Sequence, residues 1–234
     1  MMKYGFFVTG TDTGIGKTHV SRILLNALAA QGLTTAAMKP VASGCELTAQ
    51  GWRNQDALQL QQAASIQLGY EQINPYALAP AIAPHLAARA TDIEISLETL
   101  GRHFGAIAAQ AEAVVVEGVG GWLVPLNKQH TVADLAQQLG LPIILVVGIR
   151  LGCINHALLT VAALQQDQNN PPLAGWVANI IDPGAGAIDD NIATLQEYIN
   201  APLLGALPYI HSEKVRPADL QAGLLNIHRL LAGR

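Results

Sequence analysis

The stretch Gly10-Thr-Asp-Thr-Gly-Ile-Gly16-Lys17-Thr18 matches the pattern G-x-x-x-x-G-K-[ST] in full. The chemistry of that spacing is polyphosphate binding. Gly10, Gly14 and Gly16 let the backbone turn its amides inward on phosphate oxygens. A helix that opens near Lys17 adds its positive dipole end. Lys17 can set a cation on the β- and γ-phosphates, and the Thr18 hydroxyl suits Mg2+. The plainer reading is a Gly-rich strand–helix turn that binds nothing. Both the pattern and its strand-before, helix-after context argue against it.

Three more positions sit where strand-like runs end. Val114-Val115-Val116-Glu117 is apolar and closes on an acid, followed by Gly118-Val119-Gly120-Gly121. A carboxylate at the C-terminal end of a parallel strand points into the crevice where α/β sheets bind ligands. Phosphate-loop proteins usually carry Asp there, and the alternative is a solvated acid leaving a strand. Lys39 follows Thr35 to Met38 and precedes Pro40-Val41-Ala42-Ser43-Gly44. A lone strand-end lysine is a surface charge. Two lysines converging on one phosphate site suit a reaction that builds negative charge. Asn179 ends Gly175 to Ala178, and its amide offers the donor and acceptor that adenine N6 and N7 require. Taken alone, such an Asn is a turn former. The histidines show no metal-ligand spacing.

Elements must hold these residues. Tyr4 to Val8 reads as a strand. From Lys17 to Gln31 the apolar residues Val20, Ile23, Leu24, Ala27 and Leu28 share one helical face, and Gly32 stops the helix. Further strands are expected at Thr35–Met38, Val114–Val116, Pro142–Val147, Gly175–Ala178 and Leu203–Leu207. Helices are expected at Ser96–Ala109, Ile154–Leu164, Ile188–Ile199 and Leu220–Leu231. Thr131 to Asp134 opens another as a capping box, with Thr131 accepting an amide hydrogen bond and Asp134 returning one. The stretch from Ser65 to Pro84 reads as an irregular excursion near a site. Near-continuous apolar strands alternating with helices specify a mostly parallel sheet covered on both faces, in one α/β domain over 1–234.

Composition narrows the function. Of 234 residues, 50% are apolar and 13% charged, which excludes intrinsic disorder. The net charge of −4 supplies no basic surplus for a nucleic-acid backbone. Cys45 and Cys153 form no CxxC pair, so a reducing cytoplasm is expected. The N-terminus turns polar at Thr9, and the apolar run Leu141–Ile149 is too short to span a bilayer. No leader and no membrane partner are expected. Sparse charge makes subunit burial plausible on composition alone.

The ordered blocks resemble the dethiobiotin synthetase family. They are Gly10-Thr-Asp-Thr-x-x-Gly-Lys-Thr18, Lys39-Pro-Val-Ala-Ser-Gly44, Arg53-Asn-x-Asp56-Ala-Leu58, Asn74-Pro-Tyr76, Pro84-His85, Val116-Glu-Gly-x-Gly-Gly-Trp122, Leu151-Gly-Cys-Ile-Asn-His156, Gly175-Trp-Val-Ala-Asn179 and Ala201-Pro-Leu-Leu-Gly205. They run from Tyr4 to Pro208. The resemblance implies ATP- and Mg2+-dependent closure of a ureido ring from 7,8-diaminopelargonic acid and CO2. It implies a carbamate and then a carbamic–phosphoric mixed anhydride. It also implies a seven-stranded, mostly parallel phosphate-loop NTPase-like fold, used as a homodimer. Carried over residue by residue, Lys17 stabilises the phosphates, within a loop that includes Gly14, Ile15 and Gly16. Thr18, Asp56 and Glu117 surround Mg2+, with Gly118 beside them. Thr13, Lys39 and Ser43 lie around the carbamate and the transferring phosphoryl group. Asn179, Pro208 and Glu213 border the adenine. Gly152, Cys153 and Asn155 receive the substrate's carboxylate tail at the subunit interface.

Other readings differ in class. Asn179-Ile-Ile-Asp182 resembles the guanine-reading N-K-x-D pattern of nucleotide switches but lacks its lysine. Partition-type ATPases usually carry a second lysine where this chain has Thr11, Asp12 and Thr13. Cobyrinic-acid-type amidases add a glutaminase domain for which 234 residues leave no room. A paralogue with another substrate is the remaining alternative.

Overall fold

The structure is a computed structural model that describes residues 1–209 and 222–231. Ten strands occur among these residues: β1 (Tyr4–Gly10), β2 (Thr35–Met38), β3 (Val41–Ser43), β4 (Glu46–Thr48), β5 (Gly51–Arg53), β6 (Tyr76–Leu78), β7 (Ala113–Glu117), β8 (Ile143–Ile149), β9 (Leu173–Ile180) and β10 (Leu203–Leu207). The helices are α1 (Lys17–Ala30), α2 (Gln55–Ala63), α3 (Tyr70–Ile73), α4 (Pro84–Ala90), α5 (Leu97–Ala108), α6 (Val132–Leu139), α7 (Cys153–Gln166), α8 (Ile188–Tyr198) and α9 (His228–Leu231). None is long and apolar enough to cross a membrane.

Six strands form the central sheet in the order β10-β9-β8-β1-β7-β2, and every pairing is parallel. The family resemblance implied seven. Among the described residues the sheet stops at β2, where Pro40 removes the next backbone donor and turns the chain away. The following strand, β3, pairs instead with β6 in a separate two-stranded sheet.

Alternation along the strands feeds two cores. Phe7 packs with Met38, Val114, Val116 and Ile143 under α5 and α6. Phe6 and Val8 face the other way, with Val115, Ile144 and Val146, against α1. The expected stripe of α1 is buried throughout, Val20 to Leu28. Each such Leu or Ile contributes about 1.5–3 kcal/mol. At the head of α6 the returning half of the capping box is present. Asp134 accepts from the Thr131 N–H at 2.6 Å and its hydroxyl at 2.7 Å.

The Leu220–Leu231 helix does not form as one piece. The described residues there make a 3₁₀ turn at Ala222–Leu224 and then α9. Asn226 N–H bonds to Leu204 O at 2.7 Å, while Leu225, Ile227 and Leu230 are buried. Docking on β10 takes the backbone donor that a continuous helix would use. The region from Pro40 to Pro84 holds four short strands and two helices that periodicity did not indicate. In α2 only Ala57 and Leu60 are buried, too few to draw an apolar stripe.

Candidate functional site

In an all-parallel sheet every strand delivers its C-terminal end to the same edge. The turns after β1, β2 and β7 therefore meet there, over a cleft of about 680 Å3. Its lining includes Thr13, Gly14, Gly16, Lys17, Thr18, Lys39, Ser43, Asp56 and Glu117. Sequence reading and resemblance named these nine residues at separate points of the chain, and the fold brings them together.

The phosphate loop follows β1. Gly14 and Gly16 have φ of 74° and 87°, which a side chain would strain. A Cβ on Gly16 would also run into the Asn179 amide. Asn179 lies buried beneath the loop, where its Nδ2 donates to Ile15 O at 2.8 Å. Lys17 Nζ donates across the loop to Asp12 O at 2.8 Å. Burial first, and then the neighbouring Lys39 cation, push the Lys17 ammonium down to about 8.

The centre is a buried ion pair. Lys39, just past β2, is 4% exposed, and Glu117, the last residue of β7, is 0% exposed. Lys39 Nζ donates to Glu117 Oε1 at 2.6 Å and to Gly118 O at 3.0 Å. Thr18 Oγ1 donates to the same carboxylate oxygen at 2.9 Å. Glu117 Oε2 is buried with no hydrogen-bond partner. Asp56 approaches from the first turn of α2, with Oδ2 at 4.0 Å from Lys39 Nζ. Asn54 caps that helix, its Oδ1 accepting from Asp56 N–H at 3.0 Å and Ala57 N–H at 3.2 Å. Two cations, two carboxylates and a helix start thus converge on one cleft. That arrangement can hold a polyphosphate with its metal and stabilise charge that builds between them.

Other expected positions lie apart from the lining. Pro208 follows Leu207, the register partner of Asn179, so the two stand at adjacent strand ends. Glu213 lies outside the described residues. Gly152, with φ of 90°, starts α7, whose Cys153 is buried and Asn155 exposed. A contact that sequence reasoning missed links this corner to the loop. Arg150 donates to Asp12 Oδ2 at 2.7 Å, while Asp12 Oδ1 accepts the Thr13 N–H at 2.7 Å. Asp12 belongs to the first family block, which assigns it no partner. Ala81, Ile82 and Ala83, which carry no reactive group, line the cleft together with Gly120 and Val124.

A family described as an AAA domain matches residues 4–214. An ATP-dependent dethiobiotin synthetase BioD of Pseudomonas aeruginosa (strain UCBPP-PA14) is 54% identical over 220 residues, 94% of this chain and 95% of that protein. The protein of the same name from Cellvibrio japonicus is 48% identical over 231 residues, 99% of each chain. Among solved structures, the MinD cell division protein of Aquifex aeolicus superposes with a TM-score of 0.57 at 16% identity, covering 99% of this chain and 98% of that one. At that identity the likeness concerns the fold alone.

Proposed function

The chain belongs to the ATP-dependent dethiobiotin synthetases, and from that premise we propose how its residues carry out the ATP-dependent ring closure. The activity is that of a ligase forming C–N bonds in biotin biosynthesis. The observation that carries the residue-level reading is the buried Lys39–Glu117 pair, held against Thr18 at the mouth of a phosphate loop.

The substrates we assign are 7,8-diaminopelargonic acid, CO2 and ATP. One amine captures CO2 as a carbamate and releases a proton. A carbamate oxygen attacks the γ-phosphorus, and ADP leaves. The second amine attacks the carbonyl of the mixed anhydride, loses a proton and expels phosphate. Lys17 and the loop amides of Gly14, Ile15 and Gly16 hold the phosphates. Lys39 faces both the carbamate and the transferring phosphoryl, so its charge offsets the negative charge that gathers between them. Thr13 and Ser43 orient the carbamate. The buried Ser43 hydroxyl has no protein partner, which suits a donor reserved for substrate. Asn179 and Pro208 border the adenine, and Glu213 is assigned there by resemblance only.

The residues present fit Mg2+. The buried, unpartnered Glu117 Oε2 is a ligand oxygen in waiting, with the Thr18 hydroxyl and Asp56 close by. Among the described residues no cluster of three or more His, Cys, Asp or Glu side chains forms. Mg2+ asks for only one or two carboxylates beside phosphate oxygens and water. When bound, it neutralises phosphate charge and polarises the γ-phosphoryl group.

We further propose a cytoplasmic homodimer, each chain one domain, that binds neither nucleic acid nor membrane. Gly152, Cys153 and Asn155 at the head of α7 take the carboxylate tail of the substrate bound by the other subunit. The corner there, with Leu151 98% and Leu159 62% exposed, suits a covered surface. The test is a ring-closure assay with purified protein, ATP, Mg2+, bicarbonate and the diamine, following dethiobiotin and ADP together. Equal yields of the two are expected. ADP without dethiobiotin would refute the substrate assignment.

A further inference from the structure

Of two sequence blocks, Arg53-Asn54-x-Asp56 and Asn74-Pro75-Tyr76, the mechanism above uses Asp56 alone. In the fold they meet through one residue that neither block contains, Tyr70 of α3. Its hydroxyl accepts the Asn54 N–H at 2.7 Å and donates to Asn74 Oδ1 at 2.9 Å. Asn74 Nδ2 then donates to the backbone carbonyl of Lys39 at 2.7 Å. Asn54 sends out two branches. Its Oδ1 caps α2 at Asp56 N–H, and its Nδ2 donates to the Ser43 carbonyl at 3.3 Å. Tyr70, Asn74 and Asn54 are 6%, 2% and 9% exposed. The Arg53 guanidinium covers the Tyr70 ring at 4.2 Å.

We propose that Tyr70, Asn74 and Asn54 are positioning residues for the ring-closing reaction, setting Lys39, Ser43 and Asp56 in register with one another. The inference rests on the roles assigned to those three residues above. Three ends of the chain of hydrogen bonds are backbone atoms of cleft residues, Lys39 C=O, Ser43 C=O and Asp56 N–H; the other two are Ala57 N–H and Tyr76 C=O. The three cleft residues come from separate segments: Lys39 follows β2, Ser43 ends β3 and Asp56 lies in α2. The hydroxyl of Tyr70 is the shared node. Without it, Asn54 N–H and Asn74 Oδ1 lose their partners inside the protein, and the backbone behind Lys39 loses its hydrogen-bonded link to the cap of α2. A structural network would need only internal satisfaction. This one also reaches three points around the reacting groups, where displacements of an ångström matter.

The experiment is Tyr70→Phe, compared with wild type and with Ser65→Ala. The second variant removes the 2.7 Å hydrogen bond to Thr35 N–H at the far end of β2 and serves as a control for general loosening. Steady-state kinetics give kcat and the KM for ATP. Calorimetry gives ATP affinity with Mg2+ and in EDTA. For Tyr70→Phe we expect kcat, and the Mg2+-dependent part of ATP affinity, to fall by about 10–100-fold, as for groups that orient ligands from behind. ATP affinity in EDTA should stay within about twofold, because the phosphate loop does not touch this chain of bonds. Ser65→Ala should keep wild-type values. Wild-type kcat and Mg2+ dependence in folded Tyr70→Phe would overturn the proposal, and so would an equal loss in Ser65→Ala. Should Tyr70→Phe fail to fold, Asn54→Ser takes its place. It keeps the helix cap but removes the donor to Ser43. A fall in kcat without a change in melting temperature supports the proposal, and unchanged kcat overturns it. If the wild type closes no ring, the substrate assignment fails, and the Mg2+ titration alone decides this inference.

Discussion

Replacing Lys39 with Met removes the cation from a fully buried carboxylate. Glu117 is 0% exposed, and the hydrogen bonds to its side chain come from Lys39 Nζ and Thr18 Oγ1, both on Oε1. Lys39→Met leaves that charge with a single hydrogen bond, from the Thr18 hydroxyl. Breaking a buried pair from one side costs about 3–5 kcal/mol. For a chain of this size each kcal/mol moves the melting temperature by about 2–4 °C, so the expected fall is roughly 6–20 °C. The measurement is thermal unfolding by circular dichroism in EDTA, where no divalent cation can stand in for the lysine. Adding Glu117→Gln removes the stranded charge and should restore most of the loss. Ring closure should fall by about 10²–10³-fold in Lys39→Met, the range for losing one group that stabilises transition-state charge. Melting within about 2 °C of wild type would show that the pair is not desolvated. A double variant no more stable than the single one would refute the stranded-charge argument.

Three further outcomes follow from the loop. Burial lowers Lys17 to about 8, so between pH 8 and its ordinary 10.5 the unfolded chain binds the extra proton and stability rises with pH. Lys17→Met lifts that penalty and should melt higher than wild type at pH 7, by up to about 3 kcal/mol, while ring closure collapses; a lower melting point would contradict the reasoning. Polyphosphate favours the ammonium form, so ATP affinity should weaken as pH rises above 8, and a flat calorimetric profile from pH 7 to 10 would count against it. Gly16→Ala meets both a φ of 87° and the Asn179 amide, and should weaken ATP binding at least about tenfold. Wild-type affinity in that variant would mean the loop is not held in this shape.

What could be seen in the residues alone depended on how each position is generated. Lys39 and Glu117 were visible because a parallel sheet turns the end of an apolar run into a place in the crevice. Asn179 was visible for the same reason, although its amide serves the loop backbone at Ile15 O. Asp56 came only from family resemblance. It rides on a half-exposed helix with two buried residues, whose weak periodicity gives no sign of where it points. Tyr70 gave no signal at all. It lies outside both blocks it joins, on a four-residue helix, and its task is a hydroxyl shared across contacts 16 and 4 residues away. The central strands were legible through continuous burial. The short strands β3 to β6 were not, because β4 and β5 expose most of their residues and three-residue runs carry no period.

The placement of β1 has a consequence for synthesis. This strand, with Phe6, Phe7 and Val8, sits between β7 and β8, which begin at Ala113 and Ile143. On a translating ribosome it emerges long before either neighbour exists. At about 5–20 residues per second it waits on the order of 5–30 s, with an apolar edge on both sides. Nascent chains of this enzyme should therefore engage holding chaperones early and let go only after β8 has cleared the exit tunnel. The same delay applies to the chemistry, since Thr18 and Lys39 meet Glu117 only across 99 and 78 residues. A truncated product ending before β7 holds both lysines and no means of bringing them together.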